Sequence, residues 1–265
     1  MRTHTVFPDE FPESWASDWG EDEYGIFMGF TYKGVRQDFR WIEPGSFQMG
    51  SPADEPERYD YETRHEVTLS RGFWLADTCV TQALWEAVMG ENHSRFQGTN
   101  HPVENVSWEV TQAFIARMNE MKAALRLCLP TEAQWEYACR AGTSTPFCFG
   151  EGITPNIVNY SGRYPYHNGS EGKYRKQTVE VGSLPPNAWG LYEIHGNVLE
   201  WCQDWFGEYG AAAQVDPKGP EEGSRRVLRG GSWYDSGGHC RSAYRYGNGP
   251  SYHGDNFGFR LARGL

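Results

Sequence analysis

The chain has 265 residues, of which 38% are hydrophobic and 15% aromatic, enough to bury a core in one large or two small domains. Its formal net charge is −11 and no Lys/Arg cluster offsets it, so nucleic acid is not expected as a partner. Neither a basic-then-apolar N-terminus nor an apolar run of 18 residues occurs, so no signal peptide or membrane segment is predicted. The chain is expected to be cytoplasmic or a piece of a larger protein.

The first 24 residues hold seven carboxylates and one arginine, a pattern typical of a solvated acidic arm. We assign residues 1–37 to an acidic N-terminal extension and residues 38–265 to a single α+β domain. No internal repeat or linker indicates a further boundary.

Two strand pairs are predicted at the start of this domain. "DFRWIEPGSFQMGS" reads as two short strands around a Pro-Gly turn, with Trp41, Phe47 and Met49 directed inward. "HEVTLSRGFWLAD" reads as a second pair, and the polar stretch between them reads as a loop.

Helical spacing follows in two segments, residues 80–90 and 107–125. In the second, Ser107 is placed to cap the helix. Its predicted buried face consists of Val110, Phe114, Met118, Met121 and Leu125. A short third helix is predicted in "LPTEAQWEYACRAG", where Thr131 and Gln134 match a capping box. From residue 143 onward, Gly, Pro, Asn and aromatic residues dominate, and only short strands are expected.

Residues 234–256, here called the restricted segment, use few amino-acid types. They consist mainly of Tyr, Gly, Ser, His, Asp and Asn, and contain no Lys, Glu, Gln, Met or Trp. Turn chemistry alone favours Gly, Ser and Asn in loops, but it does not explain the lack of Lys and Glu. Tyrosine with small polar residues is also the composition of antibody binding loops.

Several phrases in fixed order resemble the formylglycine-generating enzyme/sulfatase-modifying factor family. They include "IEPGSFQMGS", "LPTEAQWEYACRAG", "GLYEIHGNVLEWCQDW" and "RVLRGGSW…NFGFRLA", and the resemblance spans roughly residues 38–264. It implies a C-type-lectin-like fold with two main helices, a twisted antiparallel sheet and extensive irregular loops. Because members of this family differ in function, three classes stay open.

The first class is the copper-dependent oxidase that converts a cysteine to formylglycine. The resemblance implies two thiolates that bind Cu(I) in the interval that here runs from Trp233 to Cys240. That interval holds one cysteine, Cys240, next to Arg241, whereas the resemblance places one thiolate near Asp235 and the second nearer Gly237. No copper is therefore expected, and a divergent oxidase that uses Cys240 is kept as the alternative.

The second class is the iron-dependent sulfoxide synthase, which takes its iron-binding histidines from a preceding helical domain. The eight histidines of this chain are scattered without helical or facial-triad spacing, and His4 alone precedes the lectin-like part. No iron is expected.

The third class comprises the variable proteins of bacterial diversity-generating retroelements, which the C-terminal phrases resemble most. The resemblance implies randomised adenines in asparagine codons, and these reach the residue types of the restricted segment but not Lys, Glu, Gln, Met or Trp. We therefore predict a non-catalytic protein with a diversified surface for a protein ligand. The predicted binding face consists of Tyr234, Asp235, Ser236, His239, Tyr244, Tyr246, Gly247, Asn248, Tyr252, His253 and Asp255.

"GLYEIHGNVLEW" further resembles the calcium loop of the family. The resemblance implies a structural calcium ion bound by Glu193, the carbonyl oxygens of Gly196 and Val198, and Glu200. The alternative is that Glu200 and Asp204 form a charged face beside packed Trp201 and Trp205. An arginine series is expected to pair with buried carboxylates or carbonyls beneath the loop; its members are Arg229, Arg241, Arg245, Arg260 and Arg263.

Overall fold

The computed structural model of the protein describes residues 2–264. The strands in this range are β1 (Asp18–Asp22), β2 (Gly25–Tyr32), β3 (Val35–Ile42), β4 (Gly45–Met49), β5 (His65–Leu69), β6 (Phe73–Ala76), β7 (Leu127–Cys128), β8 (Leu199–Trp205), β9 (Gln214–Val215), β10 (Arg226–Arg229), β11 (Arg245–Asn248), β12 (Phe257–Gly258) and β13 (Ala262–Arg263). The helices are α1 (Gln82–Met89), α2 (Trp108–Met121) and α3 (Glu132–Arg140). No helix between residues 2 and 264 is long and apolar enough to cross a membrane.

The strands form three sheets. The largest has the order β1-β2-β3-β6-β13-β7, with every neighbouring pair antiparallel. A second has the order β11-β10-β8-β12, in which β12 runs parallel to β8. The third, β4-β5-β9, is parallel only between β5 and β9. The mixed α+β class predicted from the sequence is confirmed.

The N-terminal region differs from the predicted solvated arm. β1 and β2 extend the largest sheet, and Trp15, Met28 and Phe30 are buried in its core. The many carboxylates in the first 24 residues suggested a solvated arm. In the structure, β1 alternates between half-buried and exposed positions, and most residues of β2 are buried. The division of the chain at residue 37 stays a prediction.

The two predicted strand pairs are wrong as pairs, although their strands are present. β3 pairs with β6, and β4 pairs with β5, so each Pro- or Gly-containing connection links two different sheets. Trp41 and Met49 are buried as predicted but in separate clusters, and Phe47 is half-buried. Local patterns identified the strands, but only the packing of the sheets selects their partners.

α2 and α3 begin at the positions that their predicted N-cap residues indicated. Ser107 accepts from the Val110 amide, and Thr131 and Gln134 form the reciprocal capping box. The predicted face of α2 is partly wrong, because Val110 and Met121 are 42% and 43% exposed. Thr111 and Ile115 take their place in the buried face, beside Phe114 and Met118.

The C-terminal end of the chain anchors in the helical layer. Phe259 is fully buried and packs edge-on against Trp85 of α1 and Phe114 of α2, which stack on each other with ring centroids 5.2 Å apart. The residues that follow the restricted segment therefore lie in the main hydrophobic core.

Candidate functional site

The restricted segment folds into two lobes separated by β11. The first lobe, residues 234–240, ends in a 3-10 turn, and the second lobe, residues 249–256, is irregular. β11 pairs with β10 at the edge of the second sheet. The indole nitrogen of Trp233 donates to the carbonyl of Asp255 at 3.0 Å, so the two ends of the segment are joined.

Gly231 shows why the entry to the segment is rigid. Its φ is +69°, a conformation that favours glycine, and a β-carbon would lie 2.7 Å from both the His239 carbonyl oxygen and the Cys240 sulfur. The backbone therefore approaches the 3-10 turn too closely for any side chain.

Buried ion pairs support the segment from below. The Arg241 guanidinium is fully buried and donates to Glu55 at 2.6 Å and to both oxygens of Glu62 at 2.8 Å. Burial alone would lower the Arg241 pKa, but the hydrogen bonds and charges of these carboxylates hold it above its usual value. The cation thus stays charged inside the protein.

The other arginines of the predicted series are also buried in ion pairs, which confirms the predicted pairing. Each is buried and pairs with a carboxylate: Arg245 with Glu132, Arg229 with Glu136, Arg260 with Glu200, and Arg263 with Glu13. Pairing of this kind holds a loop that has few backbone hydrogen bonds of its own.

Most of the predicted binding face is accessible. Tyr234, Tyr246 and Tyr252 are 64%, 39% and 54% exposed. His253 is also exposed, and the half-buried residues are Asp235, Ser236, His239, Asn248 and Asp255. Long side chains thus project outward from a backbone that is fixed on its inner side.

Two residues of the predicted face are corrected. Tyr244 is only 7% exposed, because its ring stacks on His239 and packs against Tyr59. Gly247 is buried, since the ring of Phe206 lies where a side chain would project. Both positions support the face from inside.

Residues outside the restricted segment complete the same surface. Tyr59 contacts His239 through a 3.0 Å hydrogen bond, and Tyr174 stacks on Trp233. Tyr164 is 65% exposed, and its carbonyl accepts from the Gly237 amide. The sequence carried no signal for these contacts beyond the tyrosines themselves, which lie in polar loops far away along the chain.

Cys240 is fully buried, and its thiol donates to the Ser236 carbonyl. Burial, with the nearby Asp235 charge, raises the pKa of Cys240 well above its usual value, so the thiol is held in its neutral form. Asp235 hydrogen-bonds Ser232 and lies beside His239. No second thiol of the segment faces Cys240, since it holds one cysteine.

His195 lies near Cys240 but makes structural contacts. Its two ring nitrogens contact the Cys240 carbonyl at 2.7 Å and the Cys148 amide at 3.1 Å. Burial lowers the pKa of His195 to about 4, so the ring is neutral. Within residues 2–264, no group of three or more His, Cys, Asp or Glu side chains is arranged to hold a metal ion.

The predicted calcium ligands lie on the turn that leads into β8, but their carboxylates have other partners. Both oxygens of Glu200 accept from Arg260, and Trp135 donates to one of them at 2.8 Å. The Glu193 oxygens accept from the Gly182 and Leu184 amides, and burial raises the pKa of Glu193 to about 7. This donor set does not fit a calcium ion, which needs charged oxygens free to coordinate it. Residues 199–205 form a strand, in which alternate residues share a face, so Glu200 and Asp204 lie on the same face and both are buried.

Comparison with known proteins shows the family. A family model described as "Sulfatase-modifying factor enzyme 1-like domain" matches residues 31–265. The chain belongs to this family. A formylglycine-generating enzyme of Streptomyces coelicolor is 39% identical over 198 residues, which cover 67% of this chain and 60% of that protein. The "Inactive C-alpha-formylglycine-generating enzyme 2" of Bos taurus is 34% identical over 199 residues, which cover 72% and 59%. The chain thus spans about three fifths of the length of these family members.

A solved structure shares most of the architecture. "Treponema denticola variable protein 1" superimposes with a TM-score of 0.76 and 30% identity, covering 89% of this chain and 98% of that chain. This similarity confirms the C-type-lectin-like fold and the likeness to variable proteins that the sequence indicated.

Proposed function

We propose that the protein is a non-catalytic ligand-binding protein whose binding face is the exposed part of the restricted segment. The observation that carries the proposal is the exposure of Tyr234, Tyr246 and Tyr252 on a backbone held by buried Arg241 and Arg245. Tyrosine offers a large amphipathic contact at low entropic cost, and a pre-ordered backbone lowers the cost further.

The distribution of residue types supports diversification of this face. Trp233, which randomised asparagine codons cannot encode, is buried before the segment, and Phe259 is buried after it. Most residues of the segment belong to the restricted alphabet, and the exposed ones, Tyr234, Tyr246, Ser251, Tyr252 and His253, all do. The similarity to a variable protein points the same way.

The shape of the face favours a protein ligand. The accessible tyrosines lie on two lobes and an edge strand and not in an enclosed cavity. Broad aromatic surfaces of this kind suit protein–protein contact, whereas small molecules are usually bound in concave pockets.

The competing function is that of a divergent formylglycine-generating oxidase. The similarity to the Streptomyces coelicolor enzyme supports this alternative. Against it stand the burial of Cys240, its raised pKa and the absence of a second cysteine between Trp233 and Cys240. A relative whose name describes it as inactive also belongs to this similarity group.

A displayed library tests the proposal. Positions 234, 239, 246, 252 and 253 are randomised within the restricted alphabet, and a matched control library randomises buried Trp233, Phe257 and Phe259. We expect the face library to stay folded and to yield binders when selected against a panel of immobilised proteins, whereas the control library loses folded display. Failure of the face library to fold or to yield binders would contradict the proposal.

Enzymatic activity is measured in parallel. Copper titration and a cysteine-containing sulfatase peptide should give neither stoichiometric Cu(I) binding nor formylglycine. Turnover that disappears in Cys240→Ser would overturn the proposal and establish the oxidase.

A further inference from the structure

Residues 161–176, here called the basic loop, carry a concentration of positive charge that the sequence analysis did not predict. Arg163, Lys173, Arg175 and Lys176 lie in this stretch with one carboxylate, Glu171, in a chain of net charge −11. Arg163, Lys173 and Lys176 are exposed. None of the four cations forms an ion pair with any residue between 2 and 264, in contrast to the buried arginines beneath the restricted segment.

The fold of the loop brings together the backbone next to two of these cationic residues. The Gly172 amide donates to the Gly162 carbonyl at 2.7 Å and closes the neck of the loop, so Arg163 and Lys173 leave it as neighbours. The Arg163 guanidinium lies 5.5 Å from the ring centroid of Tyr174. Tyr174 in turn stacks on Trp233 at the entry to the restricted segment.

Backbone hydrogen bonds join the basic loop to the first lobe of the face. The Ser161 amide donates to the Asp235 carbonyl, and the Gly237 amide donates to the Tyr164 carbonyl, both at 2.9 Å. Tyr164 and Tyr234 are exposed to almost the same extent, 65% and 64%. The loop and the lobe therefore form one continuous surface.

The acidic groups near the face cancel only part of this charge. Asp255 pairs with Arg95, and Asp235 hydrogen-bonds Ser232 and faces His239. Glu171 of the loop, Asp235, and Glu57, whose Oε1 accepts from the His167 amide, also have no Arg or Lys partner among residues 2–264, but the four cations of the basic loop outnumber these three carboxylates. In a strongly acidic protein, such a patch attracts negative partners over the distance at which salt does not yet screen the field, about 10 Å at 0.1 M.

We infer that the basic loop is a fixed, charge-selective half of the binding face, and that the partner presents an acidic protein segment to it. This inference rests on the proposed function. The loop lies outside the restricted segment, so it would keep the same charge while the tyrosines, histidines and small residues of the lobes change. Flanking tyrosines favour a peptide over a purely anionic polymer, because they add apolar contact to the charge.

A charge-reversal experiment tests the inference on the full chain. The loop variant carries Arg163→Glu, Lys173→Glu and Lys176→Glu. The control variant carries Arg71→Glu, Arg126→Glu and Lys218→Glu, which are exposed positions outside the loop with the same change in net charge. Binding of fluorescent poly(Glu,Tyr) and poly(Lys,Tyr) copolymers and of heparin is measured at low and high salt, and circular dichroism checks folding.

We expect the native chain to bind poly(Glu,Tyr) and not poly(Lys,Tyr), with affinity that falls as salt rises. The loop variant should lose about tenfold or more in affinity, whereas the control variant should stay within about twofold of the native chain. Equal losses in both variants, no loss in either, or tighter binding of heparin than of poly(Glu,Tyr) would overturn the inference. If the face library yields binders while loop reversal changes nothing, this inference alone fails and the proposed function stands.

Discussion

Arg241 and Tyr246 belong to the same restricted segment, but Arg241 lies in the protein interior and Tyr246 lies at the surface. Arg241 is fully buried between two glutamates, whereas Tyr246 is 39% exposed beside the neighbouring β11 residues. Side chains that fix the backbone point inward, and side chains available for contact point outward. The comparison shows that one stretch of sequence can hold a rigid support and a variable surface at once, because burial separates the two.

The largest effect is expected from the support. Arg241→Ala leaves Glu55 and Glu62 as buried charges without a partner, and we expect a loss of about 3–5 kcal/mol in the free energy of unfolding. Urea denaturation measures it. The control is Arg58→Ala, whose pair with the exposed Asp60 should contribute about 1 kcal/mol or less. Equal stability of the two variants would contradict a structural role for the buried pairs.

A comparison of two glycines sharpens the same distinction. Gly231→Ala forces a β-carbon to within 2.7 Å of the His239 carbonyl at a positive φ, and we expect a cost of about 1–3 kcal/mol. Gly249→Ala in the second lobe meets no atom within 4 Å and should be neutral or slightly stabilising, by about 0.5 kcal/mol. Thermal unfolding of both variants tests this, and similar losses would show that the lobe is as constrained as its entry.

The buried carboxyl group of Glu104 is expected to make the free energy of unfolding depend on pH. Burial raises the pKa of Glu104 to about 7; its Oε1 accepts from the Phe96 amide, and its Oε2 has no partner among residues 2–264. The folded state holds this proton more tightly than the unfolded state, so stability falls as pH rises from about 4.5 to about 7. Glu104→Gln should remove this fall and be more stable than the native chain by about 1–3 kcal/mol at alkaline pH.

Urea denaturation at about pH 4.5 and about pH 8 measures this difference, because the carboxyl group changes its protonation state between them. The exposed Glu120→Gln serves as control and should follow the native chain at both values. A Glu104→Gln variant with the full native pH slope would contradict the assignment.

The exposed tyrosines should hardly affect stability. Replacement of Tyr234, Tyr246 and Tyr252 by serine is expected to change the free energy of unfolding by about 0.5 kcal/mol or less at each position. The same urea series measures it. A loss comparable to that of Arg241→Ala would show that these side chains stabilise the fold and would remove the main argument for a binding face.

The smallest effect is expected from calcium. Because the Glu193 and Glu200 carboxylates are engaged by backbone amides and Arg260, the melting temperature should be the same in calcium and in chelator. An ion present at one hundred times its dissociation constant would add about 2.7 kcal/mol. A calcium-dependent rise in melting temperature would therefore restore the site that the family resemblance implied.

Prediction from sequence succeeded where the signal is local. The caps Ser107 and Thr131 define the starts of two helices, and capping depends only on the few residues around each helix end. Prediction failed where the signal is long-range: β3 and β4 joined different sheets, and Val110 faced solvent. The candidate site followed the same division, since the exposed tyrosines were identified but the buried Tyr244 was not separated from them.

The sequence by itself determined the fold family, the starts of α2 and α3 and the limits of the restricted segment, because each depends on residue types in a fixed local order. Only the tertiary structure decided which residues of that segment are accessible, because residues distant in sequence cover some of them. Tyr59 packs against Tyr244, and Phe206 covers Gly247. It also decided that Glu200 pairs with Arg260, a contact that forms only when β12 lies beside β8. Packing therefore decides which charged residues that are far apart along the chain form ion pairs.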